Sequence, residues 1–208
     1  MFSLSRFDKF ISVLFHPLFI PLYGLIIILS GSSPFGYMPF HVKRLLYLIL
    51  IVNNILLPLS LLPFLMHLHF ISTWTLKEKE DRNVPLLISS ILYATSSYLV
   101  IKFPIPVFIK IFLISVFFIS LVLTIINLKW KISLHATGMG SLISLVFYLA
   151  FRMHSPLLWY LVSGFIISGL VLSARLRLGV HSPRQVWYGF FTGYVTGSLL
   201  LVFLQKFI

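Results

Sequence analysis

Three short polar segments carry the residue types of this chain that could do chemistry. Residues 77–85 read KEKEDRNVP, residues 133–138 read SLHATG, and residues 174–185 read ARLRLGVHSPRQ. Together they supply two imidazoles, several guanidinium and ammonium groups, and hydroxyls. The chain contains no cysteine, so thiolate catalysis, disulfides and cysteine-based metal sites are excluded.

These groups are suited to binding and cleaving a phosphate ester. Arg82 and Arg175 have planar forks that bind two phosphate oxygens at once and keep their charge at any pH. Imidazoles, here His135 and His181, exchange protons near neutral pH. Two imidazoles suit phosphoryl transfer through a covalent intermediate, because one can attack phosphorus and the other can protonate the leaving oxygen. The sequence therefore predicts a phosphate site with two histidines.

Each of the three segments runs directly into an apolar stretch, which predicts that a helix begins there. Asn83, Ser133 and Ser182 are the predicted caps, and Pro85 and Pro183 suit the first helical turn. Three helix N-termini would then direct free N–H groups and positive dipole ends at one patch. This arrangement favours an anion.

The composition of the chain indicates the type of secondary structure that positions these segments. Of the 208 residues, 59% are hydrophobic and 10% are charged, and the mean hydropathy is +1.05. Such a chain cannot cover a soluble core with polar groups, which indicates an all-α integral membrane protein. In a soluble protein the net charge of +12 would suggest a nucleic-acid partner. Here the cations flank apolar stretches, where they meet anionic phospholipids, so nucleic acid is not expected.

Apolar stretches long enough to cross a bilayer occur seven times, which predicts about seven transmembrane helices in a single domain, residues 1–208. A six-helix core is the alternative, because the prolines at 104 and 106 allow one neighbouring span to be partial. The first stretch follows Arg6 and Lys9 as a signal peptide would, but we expect it to be a retained span. The predicted spans are residues 10–30, 45–68, 84–101, 106–126, 133–151, 156–173 and 186–204.

Alternation of the spans places several loops on one side, here called the basic face. This side holds the N-terminus and residues 69–83, 127–132 and 174–185, with ten of the 16 cations and all four acidic residues. The positive-inside rule places the basic face in the cytoplasm, and we expect the bacterial inner membrane.

The order and spacing of the three segments resemble the type 2 phosphatidic acid phosphatase superfamily of integral membrane lipid phosphatases. The motifs of that family are Lys-x6-Arg-Pro, Pro-Ser-Gly-His and Ser-Arg-x5-His-x3-Asp. Arg82 matches the first motif, Ser133 and His135 match the second, and Arg175 and His181 match the third. The resemblance covers about residues 77–190, within a motif-bearing core of about 77–204.

The resemblance implies a phosphatase that cleaves a phosphomonoester or pyrophosphate from a membrane lipid through a phosphohistidine. His181 would be the nucleophile and His135 the general acid at the leaving group. The implied phosphate-binding residues are Arg82, Arg175 and Ser133, with Lys77 and Lys79 in reach of the same phosphate.

Several positions depart from the family pattern. Gln185 stands where the family has the aspartate that orients the nucleophilic histidine, and a neutral amide can accept the hydrogen bond but supplies no charge. Thr75 and Ala174 replace a motif lysine and a motif serine, while Ile132 and Leu134 replace a proline and a glycine. The arginine and histidine positions of the motifs are therefore kept, whereas several neighbouring positions that would adjust their chemistry differ.

Two functions therefore stay open. One is a divergent phosphatase that has recruited another carboxylate, for which the candidates are Glu78, Glu80 and Asp81. The other is a catalytically degenerate protein that binds anionic lipid or serves as a membrane subunit. The partner of His181 distinguishes them, because a carboxylate favours the enzyme, whereas Gln185 or solvent alone favours binding.

No metal or cofactor is expected. His67 and His69 could join His135 and His181 in a metal site, but a His-x-His pair on a helix does not project to one side. The remaining histidines are predicted to lie outside the patch; they are His16, His41 and His154.

Small and polar residues inside two spans indicate helix packing. Gly189, Gly193 and Gly197 recur every four residues, which predicts a close seam inside the bundle or between copies in a homo-oligomer. Asn53 and Asn54 are interpreted as interhelical hydrogen-bonding residues, with a cavity lining as the alternative.

Overall fold

Helices account for 78% of the chain in the computed structural model, which describes residues 4–73, 76 and 78–206. This part of the chain contains no β-strand. A 3₁₀ turn at Pro17–Phe19 and another at Glu80–Arg82 each precede an α-helix, and a π-helical turn at Ile51–Leu56 joins two α-helices. The α-helices are α1 (Leu4–Leu14), α2 (Ile20–Ile28), α3 (Phe40–Leu50), α4 (Leu57–His67), α5 (Asn83–Ile101), α6 (Val107–Lys129), α7 (Leu134–Arg152), α8 (Leu158–Arg177) and α9 (Pro183–Leu204).

The predicted all-α membrane fold is confirmed. Within the described residues, seven helical segments are long and apolar enough to cross a bilayer. The turn with two prolines joins two long helices, since α5 ends at Ile101 and α6 begins at Val107, so neither span is partial. The segments are Ser5–Ile28, Phe40–His67, Glu80–Ile101, Val107–Lys129, Leu134–Arg152, Leu158–Arg177 and Pro183–Leu204.

One compact unit consists of residues 1–38 and 132–208 and contains α1, α2, α7, α8 and α9. The closest packing in this unit is between α7 and α9. A Cβ on Gly140 would overlap the carbonyl oxygen of Phe190, and a Cβ on Gly193 would overlap that of Thr137. The glycine seam predicted for the last span therefore lies inside this unit, against α7. In the same unit, α1 packs on α8 and α2 packs on α7.

The second compact unit consists of residues 39–131 and contains α3 to α6. Buried hydroxyls and amides link its helices. Ser90 Oγ on α5 lies 2.8 Å from Ser120 Oγ and 3.1 Å from Thr124 Oγ1 on α6. Asn54, on the π-helical turn, accepts a 2.8 Å hydrogen bond from Ser96 on α5. The interpretation of Asn54 as an interhelical hydrogen-bonding residue is thus confirmed, as polar groups inside a membrane must find internal partners.

Candidate functional site

His181 and Gln185 lie at the start of α9. The chain leaves α8 through Gly179, which adopts a φ of 64° that glycine tolerates without strain. Ser182 then caps α9, with Gln185 as the reciprocal partner in a capping box and Pro183 at the first helical position. The predictions of Ser182 as cap and of a helix beginning at Pro183 are confirmed.

The hydrogen bonds of Gln185 define the state of the His181 ring. Gln185 Oε1 lies 3.1 Å from the backbone nitrogen of Ser182 and 3.1 Å from His181 Nδ1. A backbone N–H can only donate, so the atom facing Ser182 must be the amide oxygen and not the amide nitrogen. The same oxygen must then accept from His181, whose Nδ1 carries a proton. In the neutral ring this leaves a lone pair on Nε2.

Ser133 and His135 belong to the start of α7. Ser133 is fully buried, and its Oγ caps the helix by accepting from the backbone of Ala136 at 3.4 Å, as predicted. The backbone nitrogen of Ser133 donates to the carbonyl oxygen of Gln185 at 3.3 Å. This bond joins the start of α7 to the start of α9, so the segments that carry His135 and His181 are held together.

The ring of His135 is held by the N-terminal segment. His135 Nε2 lies 2.9 Å from the carbonyl oxygen of Ser12. Because a carbonyl oxygen can only accept, Nε2 carries a proton, and Nδ1 is the nitrogen left to exchange one. The same ring interacts electrostatically with His181 and with Arg175, in the last turn of α8. Ser133, His135, Arg175, His181 and Gln185 are therefore brought together in this unit.

His16 also belongs to this group, although the sequence predicted a position outside the patch. The rings of His16 and His135 are 5.4 Å apart and meet edge to face at 85°, and the charge of Arg175 acts on both. The prediction for His16 was wrong because α1 ends at Leu14 and a 3₁₀ turn follows, with His16 as its cap. The first span is therefore not one straight helix.

Asp8 is the single acidic residue of residues 1–38 and 132–208. It is buried on α1 and is paired with Arg177, the last residue of α8. Arg177 Nε lies 3.1 Å and 3.0 Å from the two carboxylate oxygens, and Nη2 lies 2.6 Å from Oδ1. The carboxylate candidates considered from the sequence did not include Asp8. The sequence feature that could have pointed to Asp8 is its spacing, because Ser12 follows it by four residues and His16 by eight.

The other predicted phosphate-binding residues belong to the second unit, residues 39–131. Arg82 is buried and donates through Nε to the carbonyl oxygen of Leu76 at 2.8 Å. Lys79 Nζ donates to the carbonyl oxygen of Leu128 at 3.2 Å and lies 3.6 Å from Glu80. Lys77 lies outside the described residues.

The acidic candidates of this second unit have neighbours of their own. Asp81 is buried, and its Oδ1 accepts from the backbone nitrogen and the hydroxyl of Ser72 at 3.0 Å and 3.1 Å. Glu78 is exposed and acts electrostatically on Arg82. These bonds fold the loop before α5 back on itself.

Asn83 is not a helix cap, contrary to the prediction. A 3₁₀ turn precedes α5, and Arg82 occupies the cap position without a side-chain cap bond. The Asn83 side chain instead accepts from Asn127 Nδ2 at 2.9 Å. Asn127 is fully buried on α6 and also donates to the carbonyl oxygen of Lys79 at 3.0 Å. The loop before α5 is thus fastened to the end of α6.

The chemical capacity of the first unit rests on imidazoles and guanidinium groups. His181 offers a lone pair on Nε2, His135 can exchange a proton at Nδ1, and Arg175 supplies a fork for an anion. Among residues 4–73, 76 and 78–206, no three histidine or carboxylate side chains are grouped so that they could hold a metal ion. Comparisons with protein-family profiles, with curated proteins and with solved structures gave no match.

Proposed function

We propose that this integral membrane protein is a lipid phosphatase that cleaves a phosphomonoester or pyrophosphate through a phosphohistidine. The observation that supports it is the tautomer of His181, which the pair of 3.1 Å bonds of Gln185 Oε1 to Ser182 and His181 defines, whereas the chemical type of this partner favours the second candidate below. These bonds give His181 the tautomer in which Nε2 can attack phosphorus. Motif matches at Ser133, His135, Arg175 and His181 support the same proposal.

In the proposed first step, His181 Nε2 attacks phosphorus and the bond from phosphorus to the leaving oxygen breaks. The leaving oxygen takes the electron pair and a proton from Nδ1 of His135, which takes up that proton when the anionic phosphate group binds. Throughout this exchange the other ring nitrogen, Nε2, keeps its bond to the Ser12 carbonyl, 2.9 Å long. Arg175 balances the charge of the phosphate oxygens.

In the second step, water replaces His181 at phosphorus. His135 Nδ1, now unprotonated, accepts a proton from the attacking water, and the bond from phosphorus to His181 Nε2 breaks. Inorganic phosphate leaves and both rings return to their first state. For a pyrophosphate substrate, the leaving oxygen belongs to the remaining lipid phosphate.

Binding without turnover is the second candidate function. It is favoured by the chemical identity of the His181 partner, which is an amide and not a carboxylate. An amide oxygen orients the ring but supplies no negative charge to stabilise its cationic form. In this case the same imidazoles and Arg175 would hold an anionic lipid head group.

One experiment separates the two functions. The purified protein, in mixed micelles with a chelator present, is given phosphatidate, phosphatidylglycerophosphate or a polyprenyl pyrophosphate, and released phosphate is measured. The phosphatase proposal expects phosphate release that His181→Ala abolishes and that His154→Ala, an exposed loop position, leaves unchanged. Equal rates for the wild type and His181→Ala would reject it. A silent wild type that gains activity in Gln185→Asp would support binding without turnover.

The orientation of the protein is also part of the proposal. The excess of basic residues on the basic face favours a cytoplasmic position for it, in a bacterial inner membrane. The lipid would then be taken from the inner leaflet. Labelling of single cysteines introduced at residues 6 and 154, in intact cells and in inverted vesicles, tests this orientation.

A further inference from the structure

The N-terminal segment presents three polar groups to the site at regular spacing. Asp8 and Ser12 are four residues apart on α1, which places them along one side of the helix, and His16 follows four residues later, after the helix has ended at Leu14. Asp8 and Ser12 are buried, whereas Phe10 is 61% exposed. The segment therefore has one side directed at the unit and another directed away from it.

Each of these three residues contacts either the His135 ring or the helix that ends beside it. Asp8 binds the guanidinium of Arg177 through both carboxylate oxygens. The Ser12 carbonyl accepts from His135 at 2.9 Å, and the His16 ring lies against the His135 ring at 5.4 Å. Two of the three contacts therefore fix the ring of His135, and the ion pair fixes the helix that carries them.

The role of Asp8 follows from its position. The Ser12 carbonyl is a backbone group, so its place relative to His135 depends on where α1 lies. Asp8 lies one helical turn before Ser12, and its carboxylate is the group that joins α1 to the end of α8 by an ion pair. A fixed α1 keeps the proton of His135 on Nε2 and the exchanging position on Nδ1.

We propose that residues 8–16 form a strap that positions His135, and that Asp8 is the positioning residue that anchors it. The catalytic consequence rests on the proposed phosphatase function, whereas the effect on the His135 ring does not. None of these three residues belongs to a motif of the resemblance described above.

The first test measures the protonation of the two ring nitrogens of His135 by NMR. In protein with ¹⁵N-labelled histidine in nanodiscs, the His135 signals are assigned by their loss in His135→Asn. We expect the wild type to show a protonated, hydrogen-bonded Nε2, and Asp8→Asn to show a ring in exchange between tautomers. Lys9→Gln, a change at an exposed neighbour of Asp8, should leave the signals unchanged. Unchanged signals in Asp8→Asn would overturn the proposal.

A second variant covers the case in which Asp8→Asn does not fold. Arg177→Lys keeps the positive charge but cannot make a two-pronged bond, so we expect a partial shift of the His135 signals toward exchange. Wild-type signals in Arg177→Lys would then count against the strap.

The activity test separates this proposal from the phosphatase proposal. We expect Asp8→Asn to lower kcat by about a hundredfold with little change in KM, because a misplaced general acid slows chemistry more than binding. Asp8→Glu should restore part of the rate. A silent wild type together with an ordered His135 ring that Asp8→Asn disorders would reject the phosphatase and keep the strap. An active Asp8→Asn with a wild-type kcat would reject the strap and keep the phosphatase.

Discussion

Gln185 Oε1 accepts a hydrogen bond from Nδ1 of His181 across 3.1 Å, at the position where the resembling family has an aspartate. An amide therefore orients the His181 ring without supplying a charge. Substitutions at residue 185 can therefore test the orientation of the His181 ring separately from the negative charge beside it.

Gln185→Leu removes the orienting bond and keeps the size of the side chain. We expect loss of phosphatase activity by about 10² to 10⁴-fold, because the His181 ring is free to adopt the wrong tautomer. The capping box of α9 is lost too, at about 1 kcal/mol of the free energy of unfolding. Initial rates and thermal unfolding measure the two effects. Gln205→Leu, at an exposed position after α9, is the control.

Arg175→Lys tests the guanidinium fork. A lysine keeps the positive charge near His135 but binds phosphate oxygens singly, so we expect KM, or the Kd for a non-hydrolysable phosphonate lipid, to rise about tenfold. Arg184→Lys, an exposed arginine in the first turn of α9, should leave both constants unchanged. Equal constants for Arg175→Lys and the wild type would remove Arg175 from the phosphate site.

Gly193→Ala tests the packing of α9 on α7. The added Cβ would overlap the carbonyl oxygen of Thr137, and backbone cannot move aside as a side chain can. We expect the free energy of unfolding to fall by about 1–3 kcal/mol or more. Gly169→Ala on α8 is the matched control, because no atom lies within 4 Å of its added Cβ. Its greater helix propensity should leave stability unchanged or raise it slightly. Denaturant titration of helical circular dichroism compares the two.

Asn127→Leu tests the fastening of the loop before α5. It deletes the bonds to Lys79 and Asn83 and leaves their acceptors without this donor, at about 1–3 kcal/mol. We expect faster proteolysis of the loop between α4 and α5 at temperatures where the helices persist. Ile125→Ala, at a position on α6 that is 57% exposed, should digest at the wild-type rate. A wild-type digestion rate for Asn127→Leu would mean that this amide does not hold the loop.

The membrane helices could be predicted from the sequence because the hydrocarbon thickness dictates long apolar stretches. The caps at Ser133 and Ser182 were predictable for a related reason, since a capping signature is local in sequence. The prediction of a cap at Asn83 was wrong, because the preceding residues form a 3₁₀ turn and the amide bonds to Asn127 on another helix.

The contacts of His135 could not be predicted in the same way. Ser12 and His135 are 123 residues apart, and they meet only because the first span is interrupted between Leu14 and Pro17. Pro17 and Pro21 indicated that the helix is interrupted, but they did not indicate which part of the chain the interrupted segment would contact. The role of Asp8 could not be predicted either, because its partner, Arg177, is 169 residues away in the sequence.

The glycine seam has a mechanical consequence for the histidines. Because α7 and α9 touch through backbone at Gly140 and Gly193, they cannot slide or separate without a large loss of packing, and they should move as one rigid body. The spacing between His135 and His181 is then set by two helices and not by their loops. Any opening that admits an anionic group to these rings is then expected to leave the α7 and α9 pair intact, and backbone hydrogen exchange should be slow along the seam.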